Sequence, residues 1–167
     1  MIKSQIEPTV EIKELVKDVK SPITFDSLIQ IRDLMYVKII FRPYDDSTRE
    51  QEKAIRWKRT AGEILRDGYV YSEKACTDLT VLYIALCQAL GLETSFVKVK
   101  NGERVHSIAE IKLDDGWYIF DIFRKNIPVK GLITPDAPFA GWQLWQKGRD
   151  AWDIGLTSFD DINKIII

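Results

Sequence analysis

The sequence predicts an α+β fold in which a central helix, with a cysteine in its first turn, packs on an antiparallel sheet. The stretch 75–90 is apolar almost all round a helical repeat, which is typical of a helix buried inside a domain. Three strand-like runs follow, at 94–100, 105–113 and 117–123, and short turn sequences separate them. This order, a buried helix and then hairpins, indicates the α+β class.

The length of 167 residues predicts one domain, 1–167, because domains commonly have about 100–200 residues. We expect three parts: a mostly helical 1–68, a core helix with strands over 72–123, and an irregular 124–167. A chain of this size buries roughly 68–70% of its unfolded surface, which is enough for a core without disulfides or metals.

The N-terminal part shows three helical patterns. Apolar residues over 9–20 have amphipathic spacing, and 24–41 is a second apolar stretch that becomes extended near its end. Ser47 with Glu50 forms a capping-box pattern, which predicts a helix that ends at Gly68.

A short extended run at 69–71 leads into the central helix, which Gly91 ends as a left-handed cap. Cys76 lies in the first turn of this helix, where unpaired amide groups favour an anion. Near the C-terminus, Ser158 with Asp161 predicts the cap of a short last helix.

The only histidine, His106, follows Cys76 by 30 residues and precedes Asp121 by 15. A cysteine becomes a nucleophile at neutral pH when a helix N-terminus or an imidazolium lowers its pKa. Histidine in turn needs a carboxylate or amide that holds its ring and tautomer. The three residues together therefore predict a thiol active site.

The hairpin register provides a geometric condition for this site. A two-residue turn at 115–116 would place Asp121 opposite Glu110, too far from His106 to touch it. A four-residue loop, 113–116, places Asp121 opposite Ile108 and diagonal to His106 on the same face. A three-residue loop would put the two side chains on opposite faces. We therefore expect the four-residue loop or an equivalent bulge.

Three stretches of the chain resemble the transglutaminase-like superfamily of papain-type thiol enzymes, in the order and at the spacing of that family. They are Cys76-Thr77-Asp78 with YIALCQALGL at 83–92, HSIAE at 106–110, and Gly116-Trp117 with Asp121. The resemblance covers residues 72–123. It implies a papain/transglutaminase-like core with Cys76 as nucleophile, His106 as base and Asp121 as the group that orients it.

The resemblance implies cysteine-dependent acyl transfer on amide bonds, and we expect hydrolysis of a peptide or peptide-like substrate. A crosslinking transamidase remains an alternative. An inactive domain that serves as a binding or scaffold module is a third, because Lys74 stands where the family has a glycine and Ile108 where it often has a tryptophan. A further departure is Ile122 in place of a proline.

Four aromatic residues are candidates for the remainder of the site. Tyr71 is the candidate for a second oxyanion donor, and the alternative is a ring that packs in a strand. Trp117, Trp142 and Trp145 are candidates for walls of a substrate cleft, and the alternative is core packing.

Composition limits the partners. The net charge is −1, which argues against nucleic-acid binding, and no apolar run reaches the length of a membrane span.

Cys76 and Cys87 are about 16 Å apart on one helix, too far for a disulfide, and we expect Cys87 in the core. No ligand spacing indicates a metal or cofactor. We expect a cytoplasmic protein with a peptide or protein substrate, and the oligomeric state stays open.

Overall fold

The computed structural model describes residues 4–166. Its helices are α1 (Val10–Val16), α2 (Phe25–Val37), α3 (Arg49–Ile55), α4 (Ala61–Asp67), α5 (Cys76–Ala89) and α6 (Asn163–Ile166), with a 3₁₀ turn at Phe159–Asp161. Its strands are β1 (Ile40–Arg42), β2 (Tyr69–Tyr71), β3 (Glu93–Asn101), β4 (Arg104–Leu113), β5 (Gly116–Phe120), β6 (Val129–Lys130) and β7 (Gln143–Gly148).

Side-chain caps start the first two helices. The hydroxyl of Thr9 accepts the amide of Ile12, and Thr24 forms a capping box with Ser27. The predicted change from helix to extended chain near residue 40 is confirmed, since β1 follows α2 there and pairs in parallel with β2.

The single helix predicted from Ser47 to Gly68 is wrong, because the structure has two helices separated by 56–60. The capping box is formed by Thr60 and Glu63, at the start of α4. The predicted stop is confirmed, since Gly68 has a φ of 73°, a left-handed conformation that glycine adopts without strain.

Long-range contacts of Trp57 account for this break. Its φ of 61° is incompatible with a helix, and its carbonyl accepts the indole N–H of Trp152 at 2.5 Å and the amide of Gln5 at 3.5 Å. The Gln5 amide also donates to the carbonyl of Arg59 at 3.0 Å. Backbone groups that a helix would pair internally are thus used to join both ends of the chain to this segment.

The main sheet has the strand order β6-β5-β4-β3-β7, with antiparallel neighbours throughout. In the β4–β5 hairpin, Lys112 pairs with Trp117, which is the register that the four-residue loop requires. One further pair, Leu113 with Gly116, tightens the turn to Asp114–Asp115. The expected register is therefore confirmed, with a shorter turn than the one expected.

Helix α5 packs on one face of this sheet, as predicted, and the α+β fold class is confirmed. Every residue of α5 from Thr77 to Cys87 is buried, and apolar residues of β3 and β4 such as Phe96 and Ala109 join it in the main core. The opposite face has its own smaller cluster around Val97 and Ile108.

Glu110 lies on that opposite face and has a structural role there. Its carboxylate pairs with Lys147 at 2.8 Å and accepts the amide of Ile133 at 2.7 Å. These bonds fasten two parts of the C-terminal segment to β4, so the buried charge is fully paired.

The C-terminal part is more regular than expected, because it supplies both outer strands of the sheet, β6 and β7. Strand β7 pairs with β3 through a register shift at Lys98–Val99, and this irregularity obscures a period-two pattern. Among residues 4–166, no helix is long and apolar enough to cross a membrane.

Candidate active site

Cys76 is the first residue of α5, so its backbone N–H is among the amides that the helix leaves unpaired. The N-cap residue, Ala75, makes no side-chain capping bond that would occupy this end. The left-handed residue of the preceding turn is Glu73, with a φ of 69°, rather than Lys74. Lys74 can therefore stand where the family has glycine.

His106 lies on β4 and Asp121 lies directly after β5, and the hairpin register brings them together. Nε2 of the imidazole is 3.0 Å from Oδ2 of the carboxylate. This contact leaves the other ring nitrogen, Nδ1, for the thiol of Cys76, which interacts with the imidazole. The structure thus brings Cys76, His106 and Asp121 together, with the imidazole between the thiol and the carboxylate.

Electrostatics reverse the usual order of the thiol and imidazole pKa values. Burial opposes ionisation of the Cys76 thiol, but the charge of Lys98 and the contact with His106 outweigh it and lower its pKa to about 6. Burial likewise lowers the pKa of His106, but Asp121 and Cys76 raise it to about 9. A thiolate and an imidazolium therefore coexist between these two pH values.

The loop that carries Asp121 is held by helix α2. Arg32 donates to the carbonyl oxygens of Phe123, at 3.0 Å, and Asn126, at 2.6 Å, while the Tyr36 hydroxyl donates to Ile122 O at 3.1 Å. These bonds span about 90 residues of sequence and fix the loop to the buried part of the fold. The position of the carboxylate is therefore set by the packed N-terminal helices.

Two aromatic rings enclose the imidazole of His106. Phe123 stacks on it with a centroid distance of 5.4 Å, and Trp142 stacks on it at 5.3 Å. Arg104 in turn lies 5.3 Å over the Trp142 ring. The ring is thus confined to one orientation, which places its two nitrogens toward Cys76 and Asp121.

The triad opens into a cleft of about 580 Å³. Trp57 and Trp142 contribute aromatic wall, and charged side chains of both signs contribute the remainder. Its lining includes Trp57, Cys76, Lys98, His106, Asp121 and Trp142. This volume lies within the range of about 300–1,000 Å³ that is typical of ligand-binding clefts.

Lys98 is the main component of the site that sequence reasoning missed. It is 1% exposed, and its ammonium donates to Thr77 Oγ1 at 3.1 Å and to Ser107 Oγ at 3.0 Å. Its only signal in the sequence is a charged residue inside an apolar strand. Trp57 was also missed, because its place in the cleft depends on the unexpected break between α3 and α4.

Of the aromatic candidates, the structure brings only Trp142 to the cleft. Tyr71 is buried in β2 with its ring against Tyr69, at a centroid distance of 5.7 Å, and it is not among the cleft-lining residues. Trp117 lies on β5 away from the cleft, and Trp145 packs against the main core. These positions fit the alternatives of strand and core packing.

The described part of the chain contains no cluster of three or more histidine, cysteine or acidic side chains that would bind a metal ion. Both cysteines are free, with Cys76 half-buried and Cys87 buried. The site contains the thiol of Cys76, the imidazole of His106 and the carboxylate of Asp121, which is already engaged with the imidazole, and the carboxylates of Glu73 and Glu103 also line the cleft. Their arrangement is suited to nucleophilic attack and proton transfer.

No family model and no curated protein sequence matches this chain. Solved structures match it in fold. A candidate cysteine protease from Cytophaga hutchinsonii has a TM-score of 0.58 at 20% identity, over 91% of this chain and 48% of that chain. LapG from Legionella pneumophila, EGTA-treated, has a TM-score of 0.54 at 14% identity, over 94% and 87% respectively.

These identities establish a common fold alone. The fold is consistent with a papain-like or transglutaminase-like architecture, and the cysteine-bearing helix on an antiparallel sheet is its central feature. The chain spans about half the length of the Cytophaga protein.

Proposed function

We propose that this domain is a transglutaminase-like cysteine hydrolase that cleaves an amide bond in a peptide or peptide-like substrate. Cys76 is the nucleophile, His106 the acid–base group and Asp121 the residue that orients it. The observation that carries the proposal is the convergence of these three side chains in one open cleft, with the thiol more acidic than the imidazolium beside it.

The reaction begins with attack of the Cys76 thiolate on the carbonyl carbon of the substrate. The C–S bond forms as the carbonyl oxygen takes up negative charge, which the free backbone N–H of Cys76 stabilises at the start of α5. The imidazolium of His106 then donates its Nδ1 proton to the departing amine. The products of this step are a thioester on Cys76 and a neutral imidazole.

Water completes the cycle. The neutral imidazole removes a proton from a water molecule, whose oxygen attacks the thioester and releases the carboxylic acid and the Cys76 thiolate, so the thiolate–imidazolium pair is restored. Asp121 holds the ring through Nε2 in both steps and favours its cationic form. An amine in place of water would make the same thioester intermediate serve a transamidase.

The open cleft favours an enzyme over an inactive binding module. An inactive domain would be supported by C-terminal aromatic residues that block the cleft, whereas Trp142 stacks beside the histidine and lines the cleft instead. Lys74, one of the departures from the family pattern, leaves the turn before Cys76 intact because Glu73 takes the left-handed conformation. The cytoplasmic location and the absence of nucleic-acid partners stay predictions.

The test is hydrolysis of a library of fluorogenic peptide amides, with intact-mass detection of the thioester. We expect cleavage by wild type and by Cys87→Ala, and a loss of more than about 10⁴-fold in Cys76→Ala. Cys87→Ala is the matched control, because it removes the other thiol of the same helix.

Three outcomes separate the alternatives. Hydrolysis that depends on Cys76 supports the proposal, and incorporation of a fluorescent primary amine in place of hydrolysis would identify a transamidase. Folded wild type that forms no thioester and cleaves no member of the library contradicts the proposal and favours the binding module.

A further inference from the structure

Lys98 is a buried cation without a carboxylate partner. Its side chain is 1% exposed, and its two hydrogen bonds go to the neutral hydroxyl groups of Thr77 and Ser107. Among the described residues, no acidic side chain compensates its charge. Burial of an isolated ammonium is costly, so such a residue is retained where an anion faces it.

The position of the ammonium relative to the site identifies that anion. Thr77 is the residue after Cys76, and Ser107 is the residue after His106, so Lys98 bridges the helix start and the strand that carry the two reacting groups. The hydroxyl groups of Thr77 and Ser107 also lie 2.9 Å from each other. Lys98 itself lines the cleft.

A count of the N–H groups of Lys98 also indicates that its charge faces the Cys76 sulfur. An ammonium has three N–H groups, and two of those of Lys98 are used by Thr77 and Ser107. The third has no oxygen or nitrogen acceptor among the described residues, and the other groups near the ammonium are the Trp57 ring, whose centroid lies 5.6 Å from Nζ, and the thiol of Cys76. We propose that Lys98 is the fixed counter-charge of the Cys76 thiolate, and that it keeps the nucleophile ionised independently of the protonation state of His106.

The charged side chains of Glu73, Lys74, Glu103 and Arg104 also line the cleft, but only a few groups act on this pair. Cys76 and Arg56 act on Lys98, and the carboxylate of Glu52 already pairs with Arg56 at 2.7 Å. His106, tied to Asp121, acts on the thiol from the sheet side. The pKa of Lys98 is lowered by burial and raised by Cys76, which agrees with a mutual stabilisation of the two charges.

The inference deepens the proposed function, since it rests on Cys76 as the nucleophile. It predicts that His106 and Lys98 act at different stages of the catalytic cycle. After His106 has given its proton to the departing amine, the imidazole is neutral and the sulfur is held in the uncharged thioester. The charge of Lys98 remains, so the thiolate that the next step releases has a cation beside it.

The experiment is the pH profile of iodoacetamide alkylation of Cys76, resolved by mass spectrometry. Lys98→Met removes the charge and keeps an unbranched side chain of similar length, and the bond between Thr77 and Ser107 can persist. We expect the alkylation pKa of Cys76 to rise by about 1–3 units in Lys98→Met. In the His106→Ala background the same substitution should raise it further, toward the value of a free thiol.

Two control variants separate charge from structure. Lys100→Met removes a lysine two residues along the same strand, outside the cleft, and should leave the profile unchanged. Thr77→Val breaks one hydrogen bond of Lys98 and keeps its charge, so it should shift the pKa by less than about half a unit. An unchanged profile in Lys98→Met, or an equal shift in Thr77→Val, overturns the inference.

A reciprocal measurement needs no substitution of Lys98. Because coupling between two sites is mutual, Cys76→Ala should lower the pKa of the Lys98 ammonium, read from the ¹³Cε shift of labelled lysine. A Lys98 pKa that does not respond to Cys76→Ala overturns the inference even if Lys98→Met does not fold.

The outcomes for Lys98 and for the proposed function are distinguishable, because alkylation needs no turnover. A shifted profile in a protein that hydrolyses no amide supports the counter-charge and contradicts the enzyme. Amide hydrolysis with an unshifted profile supports the enzyme and contradicts the counter-charge.

Discussion

The two cysteines of α5 have the same side chain and lie on the same helix, but their surroundings shift their pKa values in opposite directions. Cys76, at the N-terminal end, has an imidazole and an ammonium beside it, and its pKa falls to about 6. Cys87, near the C-terminal end, is fully buried among apolar side chains, and burial raises its pKa to about 12. Eleven residues along one helix thus separate a thiol that ionises near neutral pH from one that stays protonated.

The comparison shows that burial alone does not decide reactivity. Burial opposes ionisation of both thiols, and only at Cys76 do nearby cations outweigh it. At Cys87 the neighbouring polar group is the hydroxyl of Tyr83, which brings no positive charge. The environment that activates a buried thiol is therefore a set of cations fixed by the surrounding fold.

The largest expected effect is the difference in alkylation rate between the two thiols of the native protein at pH 7. Their pKa values differ so far that the thiolate fractions differ by about 10⁵-fold. We expect iodoacetamide to label Cys76 in the native state and Cys87 only after unfolding in urea. Native labelling of Cys87 at a comparable rate would remove the contrast.

A smaller effect is expected from Asp121→Asn, which removes the charge that supports the imidazolium. The kcat/KM should fall by roughly 10²- to 10⁴-fold. Because Asp121 raises the pKa of His106, the upper limb of the pH–rate profile should move from about 9 to lower pH. Asp115→Asn, in the nearby hairpin turn, is the control, and an upper limb that stays in place would contradict this role.

The smallest expected effect is on stability. The raised pKa of His106 contributes stability below pH 6.5 that is lost as the pH rises through about 9. The lowered pKa of Cys76 contributes stability above pH 9 that is lost as the pH falls through about 6. Between these values the pair holds one proton in either state, on His106 when folded and on Cys76 when unfolded, so the slopes cancel.

The check is the free energy of unfolding in urea for wild type and the Cys76→Ala/His106→Ala double variant. Their difference should stay constant within about 0.5 kcal/mol from pH 6.5 to 9. In Cys76→Ala alone, the pH dependence that His106 gives to the free energy of unfolding is no longer cancelled by that of Cys76. The free energy of unfolding should therefore decrease as the pH rises. If the difference in unfolding free energy between wild type and the double variant changes steadily over this pH range, the ion pair does not form.

Local patterns made the central part of the site predictable. The apolar period of 75–90 and Gly91 located α5, and the turn composition limited the register of the β4–β5 hairpin to a few choices. Only one of these choices allows His106 to meet Asp121, and the structure has it. These features depend on neighbours in sequence, which is why they could be inferred.

The parts that could not be inferred depend on residues distant in sequence. The break at Trp57 exists because Gln5 and Trp152 bind its carbonyl, and neither contact leaves a local pattern. Lys98 looks like an ordinary strand lysine until helix α5 brings Thr77 to its ammonium. Strand β7 is an outer strand with a register shift, which weakens the alternation that identifies strands.

The position of Trp142, immediately before β7, has a consequence for local unfolding. Strand β7 is hydrogen-bonded to the sheet on one side only, and outer segments open at a lower free-energy cost than central ones. A molecule with β7 detached would keep α5 and its thiol but lose one of the two rings that hold the imidazole. Catalysis by the proposed mechanism would therefore report whether the last strand is docked, rather than whether the core is folded.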